Sequence, residues 1–320
     1  MKIDNAKYTE LARNDLLICV LGFEPRSYFL LKKNFDTRDA SNTLVFRLCS
    51  DEHICDLTKE MEGRGIAIID CNYNETTKVI ASVCDFIKSS YEINIRSNVY
   101  IDYSSMPRSW YCALPLETWK YSCSDRRIVF LYTAGDYPYK YKDYPTAGID
   151  SIVVFSGNTL PAVDVKRYHI MGLGFDKIRT ETVKSIIEPD LLVTCYAYNP
   201  DSNIRADVLN KNKNLIEGSV LSLALPIDNF RGMIDRLSEL IYDLTRDSQV
   251  IIIPDGAKPL IMAMSLVSEV VKKEGVTCLH ISRNCYLQYE IRVTPREDEI
   301  YGFQVYDGDI VPGTKHCGLL

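Results

Sequence analysis

The sequence predicts an α/β protein: two tandem Rossmann-like domains with mainly parallel sheets, arising from internal duplication, with copy one over 1–150 and copy two over 151–320. Three observations predict it. Short apolar runs alternate with amphipathic segments of helix length, the pattern of βαβ units. The order of these elements then repeats. Two anchors hold the repeat in register: Leu21-Gly22-Phe23-Glu24 recurs as Leu173-Gly174-Phe175-Asp176, and a strand ending in aspartate, Asp102 or Asp255, follows about 80 residues later in both copies.

In copy one, Asp15–Gly22 is a continuous apolar run, as expected of a strand buried on both faces. A helix is expected over Ser27–Asn34, a strand over Thr43–Leu48, and a helix over Asp51–Gly63 with Asp51 as cap and Gly63 as stop. Ile66–Asp70 reads as a strand, Glu75–Ser90 as a long amphipathic helix, and Val99–Asp102 as a fourth strand. Pro107–Tyr121 is a helix opened by its proline, and Ile128–Thr133 a fifth strand. Copy two repeats the order: strand Tyr168–Gly174, helix Arg179–Ile187, strand Leu191–Cys195, helix Arg205–Leu215, strand Val220–Leu225. It continues with helix Asn229–Arg246, strand Val250–Pro254, helix Lys258–Glu274 and strand Val276–Ile281. A tyrosine-containing stretch ending in a strand follows each copy, Tyr137 to Phe155 and Tyr286 to Tyr306.

Composition bounds the function. The chain has 320 residues, 37 Lys+Arg against 43 Asp+Glu, and a formal charge of −6. A mildly acidic chain lacks the basic surface that long duplex nucleic acid demands. With 46% hydrophobic residues it is too apolar for disorder. No apolar run approaches the ~18 residues of a membrane span, and the start lacks a secretory pattern, so a cytoplasmic protein is expected. Eleven cysteines, an odd number without any C-x-x-C, read as small buried hydrophobes (Cys19, Cys49, Cys84, Cys195, Cys278), with no metal site and no cofactor expected.

In open parallel sheets, ligands bind beyond the carboxyl ends of the strands, where the strand order reverses. After the first strands come Glu24 and Arg26 in copy one, and Asp176, Lys177 and Arg179 in copy two. After the fourth come Ser104, Ser105 and Arg108, and Asp255, Gly256 and Lys258. After the fifth come Asp136 and Tyr137, and Arg283 and Asn284. Small or hydroxyl residues at a helix start beside a cation suit an anion. Tyr28 and Tyr103 offer faces for a base. Together these point to a small phosphorylated, base-bearing ligand held by loops after strands one and four of both halves. Other roles stay open: Ser104-Ser105 as a helix cap, Asp102 and Asp255 as turn residues, Arg26 and Arg179 as solvated charges. Gly172-Leu173-Gly174 lacks the third glycine of a dinucleotide fingerprint, and the phosphate-loop, nucleophile-elbow and H-E-x-x-H patterns are missing.

The segment Asp255-Gly256-Ala257-Lys258-Pro259 after strand four resembles the glycine-lysine motif of CRISPR-associated Rossmann-fold (CARF) sensor domains, and the tandem pair resembles SAVED domains. That resemblance implies a cyclic-oligonucleotide sensor or regulatory component of a prokaryotic defence system. It places Lys258, Gly256, Ser104, Ser105 and Arg108 on the ligand, with Glu24, Arg26, Asp176 and Lys177 beside it. The usual Thr-Gly-Gly-Thr-Lys form is here Pro-Asp-Gly-Ala-Lys, and copy one has Ser-Ser-Met-Pro-Arg. Two alternatives compete: a metal-independent enzyme cleaving a nucleotide or nucleoside (Lys258 or Arg108 stabilising charge; Asp102, Glu24 or Asp176 as base or nucleophile), and a non-catalytic structural subunit. A protein partner or homo-oligomer is expected with either sensor or subunit.

Overall fold

The computed structural model describes residues 1–22, 24–48, 52–93, 97–136, 148–157, 165–199, 204–282 and 293–307. The chain forms two compact units, Met1–Pro138 with Glu290–Leu320, and Tyr139–Tyr289.

The first unit opens with β1 (Lys2–Lys7), a charged strand with Ile3 as its buried side chain. The alternating units follow: β2 (Leu16–Leu21), α1 (Phe29–Lys33), β3 (Thr43–Arg47), α2 (Glu52–Gly63), β4 (Ile68–Asp70), α3 (Thr76–Ile93), β5 (Val99–Asp102), α4 (Arg108–Thr118) and β6 (Ile128–Asp136). The sheet runs β1-β13-β6-β5-β2-β3-β4, where β13 is Thr294–Tyr306. The five strands from β4, at one edge, to β6 are parallel, and β13 and β1 complete the sheet with antiparallel pairs. All six residues of β2 are buried, as its unbroken apolar run requires. Leu17, Cys19 and Leu21 pack on Leu30 and Leu31 of α1 and Leu57 and Met61 of α2. On the other face, Phe46 meets Trp110 of α4 edge-on with ring centres 6.0 Å apart.

The second unit holds β7 (Ile152–Ser156), β8 (Arg167–Leu173), α5 (Lys177–Ile187), β9 (Leu191–Tyr198), α6 (Ile204–Lys211), α7 (Lys213–Glu217), β10 (Leu221–Pro226), α8 (Phe230–Leu244), β11 (Gln249–Ile253), α9 (Lys258–Val271) and β12 (Val276–Ile281). Its sheet runs β10-β9-β8-β11-β12-β7, parallel except for β7. Met171, Leu173, Leu192 and Ile253 of the sheet pack on Val183 of α5, Val208 of α6 and Leu215 of α7.

Numbered within each copy, the parallel strands lie in the order 3-2-1-4-5 in both sheets, so the α/β class and the repeated Rossmann-like topology are present. The partition differs from a cut at residue 150. The strand that follows copy one, β7, pairs with β12 of the second sheet; the strand that follows copy two, β13, pairs with β6 of the first. Thus β7, just past residue 150, stays with the second sheet, while β13, from the far end of the range given to copy two, joins the first, because pairing, not chain order, satisfies the edge of strand five.

Several boundaries move for local reasons. Pro25–Tyr28 forms a 3-10 turn before α1, so the α-helix expected from Ser27 begins at Phe29. The single helix expected over Arg205–Leu215 breaks at Asn212, whose Nδ2 donates to the carbonyls of Val208 and Gly174. Six of the described cysteines (Cys19, Cys71, Cys84, Cys112, Cys195 and Cys278) are buried, in keeping with an apolar packing role, and Cys49 lies outside the described residues. Among the described residues, no helix is long and apolar enough to cross a membrane.

Candidate functional site

In each sheet the strand order reverses between strand one and strand four, β2 and β5 in the first unit, β8 and β11 in the second. The loops that leave these strands come together there, and they carry the predicted residues of both copies.

In the first unit, Glu24 and Arg26 lie on the turn after β2. Arg26 is 3% exposed; its Nε donates to Glu24 Oε2 at 2.5 Å and its Nη1 to the Tyr132 hydroxyl at 3.1 Å. Its guanidinium also lies 5.6 Å from the centre of the Tyr132 ring. Glu24 is 17% exposed and accepts a further bond from Ser105 Oγ at 3.4 Å. Arg26 is therefore not a solvated charge at a helix start but a buried one held by a carboxylate and a phenol. Ser104 is fully buried: its hydroxyl donates to Asp102 Oδ1 at 2.5 Å and accepts from the Thr133 amide at 2.8 Å. Neither serine caps α4. That helix starts at Arg108 behind Pro107, without a side-chain cap, and Arg108 is half-buried.

Tyr103 corrects an expectation. It is 2% exposed, with Tyr111, Tyr132 and Phe303 around it at ring-centre distances of 5.7, 5.6 and 6.2 Å. Burial pushes its phenol well above the usual range, so it stays neutral. It is core, not a platform for a base. Tyr28 is half-buried, and the Lys32 ammonium lies 4.6 Å from its ring centre.

In the second unit, Asp176 caps α5, accepting from the Arg179 amide at 3.1 Å. The Arg179 side chain is 2% exposed; its Nη2 donates to both carboxylate oxygens of Asp255, which is 12% exposed, and its Nε lies 3.6 Å from Asp176 Oδ2. One buried guanidinium thus ties the strand-one loop to the strand-four loop, across 76 positions of sequence. Asp255 also accepts from the Gly256 amide at 2.8 Å. Lys177 pairs with Glu181 at 3.6 Å, one turn along α5. Lys258 is half-buried at the first position of α9, after Ala257.

Glycine explains the fit of these loops. A Cβ at Gly172 would lie 2.2 Å from the Asp255 carbonyl oxygen, and one at Gly174 would lie 2.8 Å from the Gly256 Cα. Gly256 itself sits at φ +100°, where an L side chain is strained, and its Cβ would lie 2.5 Å from the Leu173 carbonyl oxygen. Gly172-Leu173-Gly174 is therefore a backbone-to-backbone seam and not a dinucleotide fingerprint. Gly22, which aligns with Gly174, has ordinary distances instead: its Cβ would meet Ser105 Cβ at 3.8 Å and Ser27 Cβ at 4.0 Å.

The structure thus joins Glu24, Arg26 and Ser105 in one unit and Asp176, Arg179, Asp255 and Gly256 in the other. Tyr132 and Asn212 belong to these junctions and were not singled out from sequence. Tyr132 lay inside an apolar strand, and Asn212 inside a segment read as helix. Asp136, after strand five, pairs with Arg296 of β13 at 2.6 Å. Tyr137, Arg283 and Asn284 lie outside the described residues.

No family model matches the sequence, and no curated protein matches it either. Among solved structures, a universal stress protein from Archaeoglobus fulgidus DSM 4304 is similar at a TM-score of 0.24 and 11% identity, covering 84% of this chain and 97% of that chain. A likeness this loose carries no argument about function; the fold rests on the strand order itself.

Proposed function

We infer that this chain is a nucleotide-binding sensor or regulatory protein, its ligand a small phosphorylated nucleotide of the cyclic-oligonucleotide class, bound at the carboxyl ends of strands one and four. The observation that supports it most is the repeated switch point: both sheets reverse order between those strands, and in both the two loops meet at the reversal. In open α/β sheets that place is where ligands bind. The step from such a place to a nucleotide rests on the loop residues, with small side chains and Lys258 or Arg108 following strand four. The role in prokaryotic defence rests on the resemblance to CARF and SAVED domains.

The sensor reading is favoured over the enzymatic one by the state of the candidate nucleophiles. Asp102 is buried and accepts from the Ser104 hydroxyl, Glu24 is paired with Arg26, and Asp176 caps α5 beside the Arg179 guanidinium, so each carboxylate is engaged within the fold.

Thermal unfolding in the presence of cyclic and linear oligonucleotides tests the reading. A ligand that binds only the folded state at a hundred times its Kd adds about 2.7 kcal/mol and raises the melting temperature with concentration. A flat response across the set overturns the proposal. Conversion of a labelled oligonucleotide to product, abolished in Lys258→Ala, would move the reading to an enzyme.

A further inference from the structure

We propose that β7 is a pairing surface for a second copy of this chain: two β7 strands lie antiparallel across a two-fold axis and join two six-stranded sheets into one.

The first unit shows what the second lacks. In both sheets strand five is followed in space by an antiparallel strand, β13 beside β6 and β7 beside β12. In the first sheet one more antiparallel strand, β1, lies outside β13, and Ile3, Phe303 and Val305 of that pair are buried. In the second sheet β7 is the last strand. Its Val153 and Val154 are 51% and 61% exposed. Neighbours along a strand point to opposite faces, so the centre of β7 is open on both.

Exposed edges are normally blunted by charge. The outermost strand of the first sheet follows that rule: β1 carries Lys2, Asp4 and Lys7, and antiparallel pairing with itself about its centre would set Lys2 against Lys7. Like charges directly opposite are destabilising. β7 has no such guard, since no charged residue lies between Asp150 and Asp164. Antiparallel self-pairing centred on Val154 sets Val153 opposite Phe155 and Ile152 opposite Ser156, so apolar side chains meet and no charge meets its like. Self-complementarity of this kind is what a two-fold interface requires, and it is the reason to place a second copy here rather than an unrelated strand.

The strand is also held ready. On its inner side Phe155 stacks on the His280 ring with centres 4.0 Å apart, and Ser156 Oγ lies 2.5 Å from Ser268 Oγ of α9. An edge fixed in advance loses little conformational freedom on pairing. Five residues a side make a contact smaller than the about 1,200–2,000 Å² of stable interfaces, so the dimer is expected to form and dissociate with concentration.

The test is sedimentation equilibrium with light scattering on the full chain, without added ligand, from about 1 to about 200 μM, where a monomer–dimer equilibrium is expected. Val154→Lys places two ammonium groups face to face on the axis and should weaken association by about tenfold or more, as should Val154→Glu with two carboxylates. Mixed together, the two variants should associate again because opposite charges then face each other, a rescue that a folding defect would not show. Val220→Lys, at a residue 58% exposed just before β10 at the other edge of the sheet, is the control and should leave the equilibrium unchanged. Should the Val154 variants fail to fold, Val153→Lys carries the comparison. A monomer throughout the range, a dimer that the β7 variants leave intact, or a dimer lost equally in Val220→Lys overturns the proposal.

Discussion

In the second unit the loops after strands one and four meet as close-packed backbone, with Arg179 tying them to Asp255; in the first they meet through side chains, Glu24 to Ser105, while Arg26 reaches across to Tyr132 of β6. The sheets beneath are the same. The difference shows that the reversal of strand order fixes where two loops converge but not what joins them. A duplicated fold can keep the convergence and exchange the fastening, and the fastening decides which atoms face a ligand.

The largest way to break this comparison is to remove the acceptor under the second seam. Asp255→Ala leaves Arg179 buried with Asp176 at 3.6 Å as its remaining named carboxylate. Breaking a buried pair in this way costs about 3–5 kcal/mol. The double variant Arg179→Met with Asp255→Asn should recover part of that loss, since the uncompensated charge goes with it. Glu24→Ala in the first unit removes a more exposed partner and should cost less. Denaturant midpoints check all three; an equal loss in Asp255→Ala and Glu24→Ala would erase the contrast.

Next come the glycines. Gly172→Ala forces a Cβ to 2.2 Å from a carbonyl oxygen that belongs to the neighbouring loop's backbone. The expected cost is about 3 kcal/mol, the upper end for overpacking. Gly22→Ala, with its nearest atoms at 3.8 and 4.0 Å, should lie within about 0.5 kcal/mol of the parent. Thermal melts of the two variants side by side decide it, and equal melting temperatures would show that the seam yields.

These features also mark how far the sequence could be read. The class was legible because fully buried strands such as Leu16–Leu21 must be continuous apolar runs, and because Gly22 and Gly174 precede Asp102 and Asp255 by nearly equal intervals. The pairing of β7 and β13 was not legible. Each comes next after a fifth strand in the repeated order, and nothing local in Ile152–Ser156 or Thr294–Tyr306 says which sheet will pair with it. β1 was missed because Lys2–Lys7 is half charged, as an edge strand can be. At the site, residue types were legible and pairings were not. Arg26 and Arg179 read as cations for an anion, yet each is joined to a carboxylate of the fold, one of them 76 positions away. Long-range ion pairs leave no periodicity to read.

A pH titration sharpens the comparison further. His169 is a fully buried residue of β8, beside Leu192 and Ile251 in the ladder, and among the described residues neither ring nitrogen has a hydrogen-bond partner. Burial, with Arg167 adding to it and Asp190 opposing it, lowers its pKa from 6.5 to about 4. The folded-state value is the lower one, so between about 4 and 6.5 the unfolded chain binds the extra proton. Stability in that window falls as pH falls, by about 2 kcal/mol at pH 5. His169→Leu should flatten the dependence above pH 4.5 while leaving the carboxylate titration below it. Denaturant midpoints at pH 7, 6 and 5 read the slope, and an unchanged slope in the variant would remove His169 from the account.

The smallest effect probes the side-chain fastening of the first unit. Tyr132→Phe deletes the hydroxyl that accepts from Arg26 Nη1 at 3.1 Å but keeps the ring, which lies 5.6 Å from both the guanidinium and the Tyr103 ring. Packing and the cation–π contact survive, so the loss is that of one hydrogen bond, about 1 kcal/mol. Because Arg26 keeps Glu24, no buried charge is stranded, unlike in Asp255→Ala. Amide exchange locates the effect: faster exchange is expected around Arg26 and Ser27, with the seam at Leu173–Gly174 unchanged. If exchange rises in the second seam as well, the two junctions are energetically coupled, and treating them as separate fastenings is wrong.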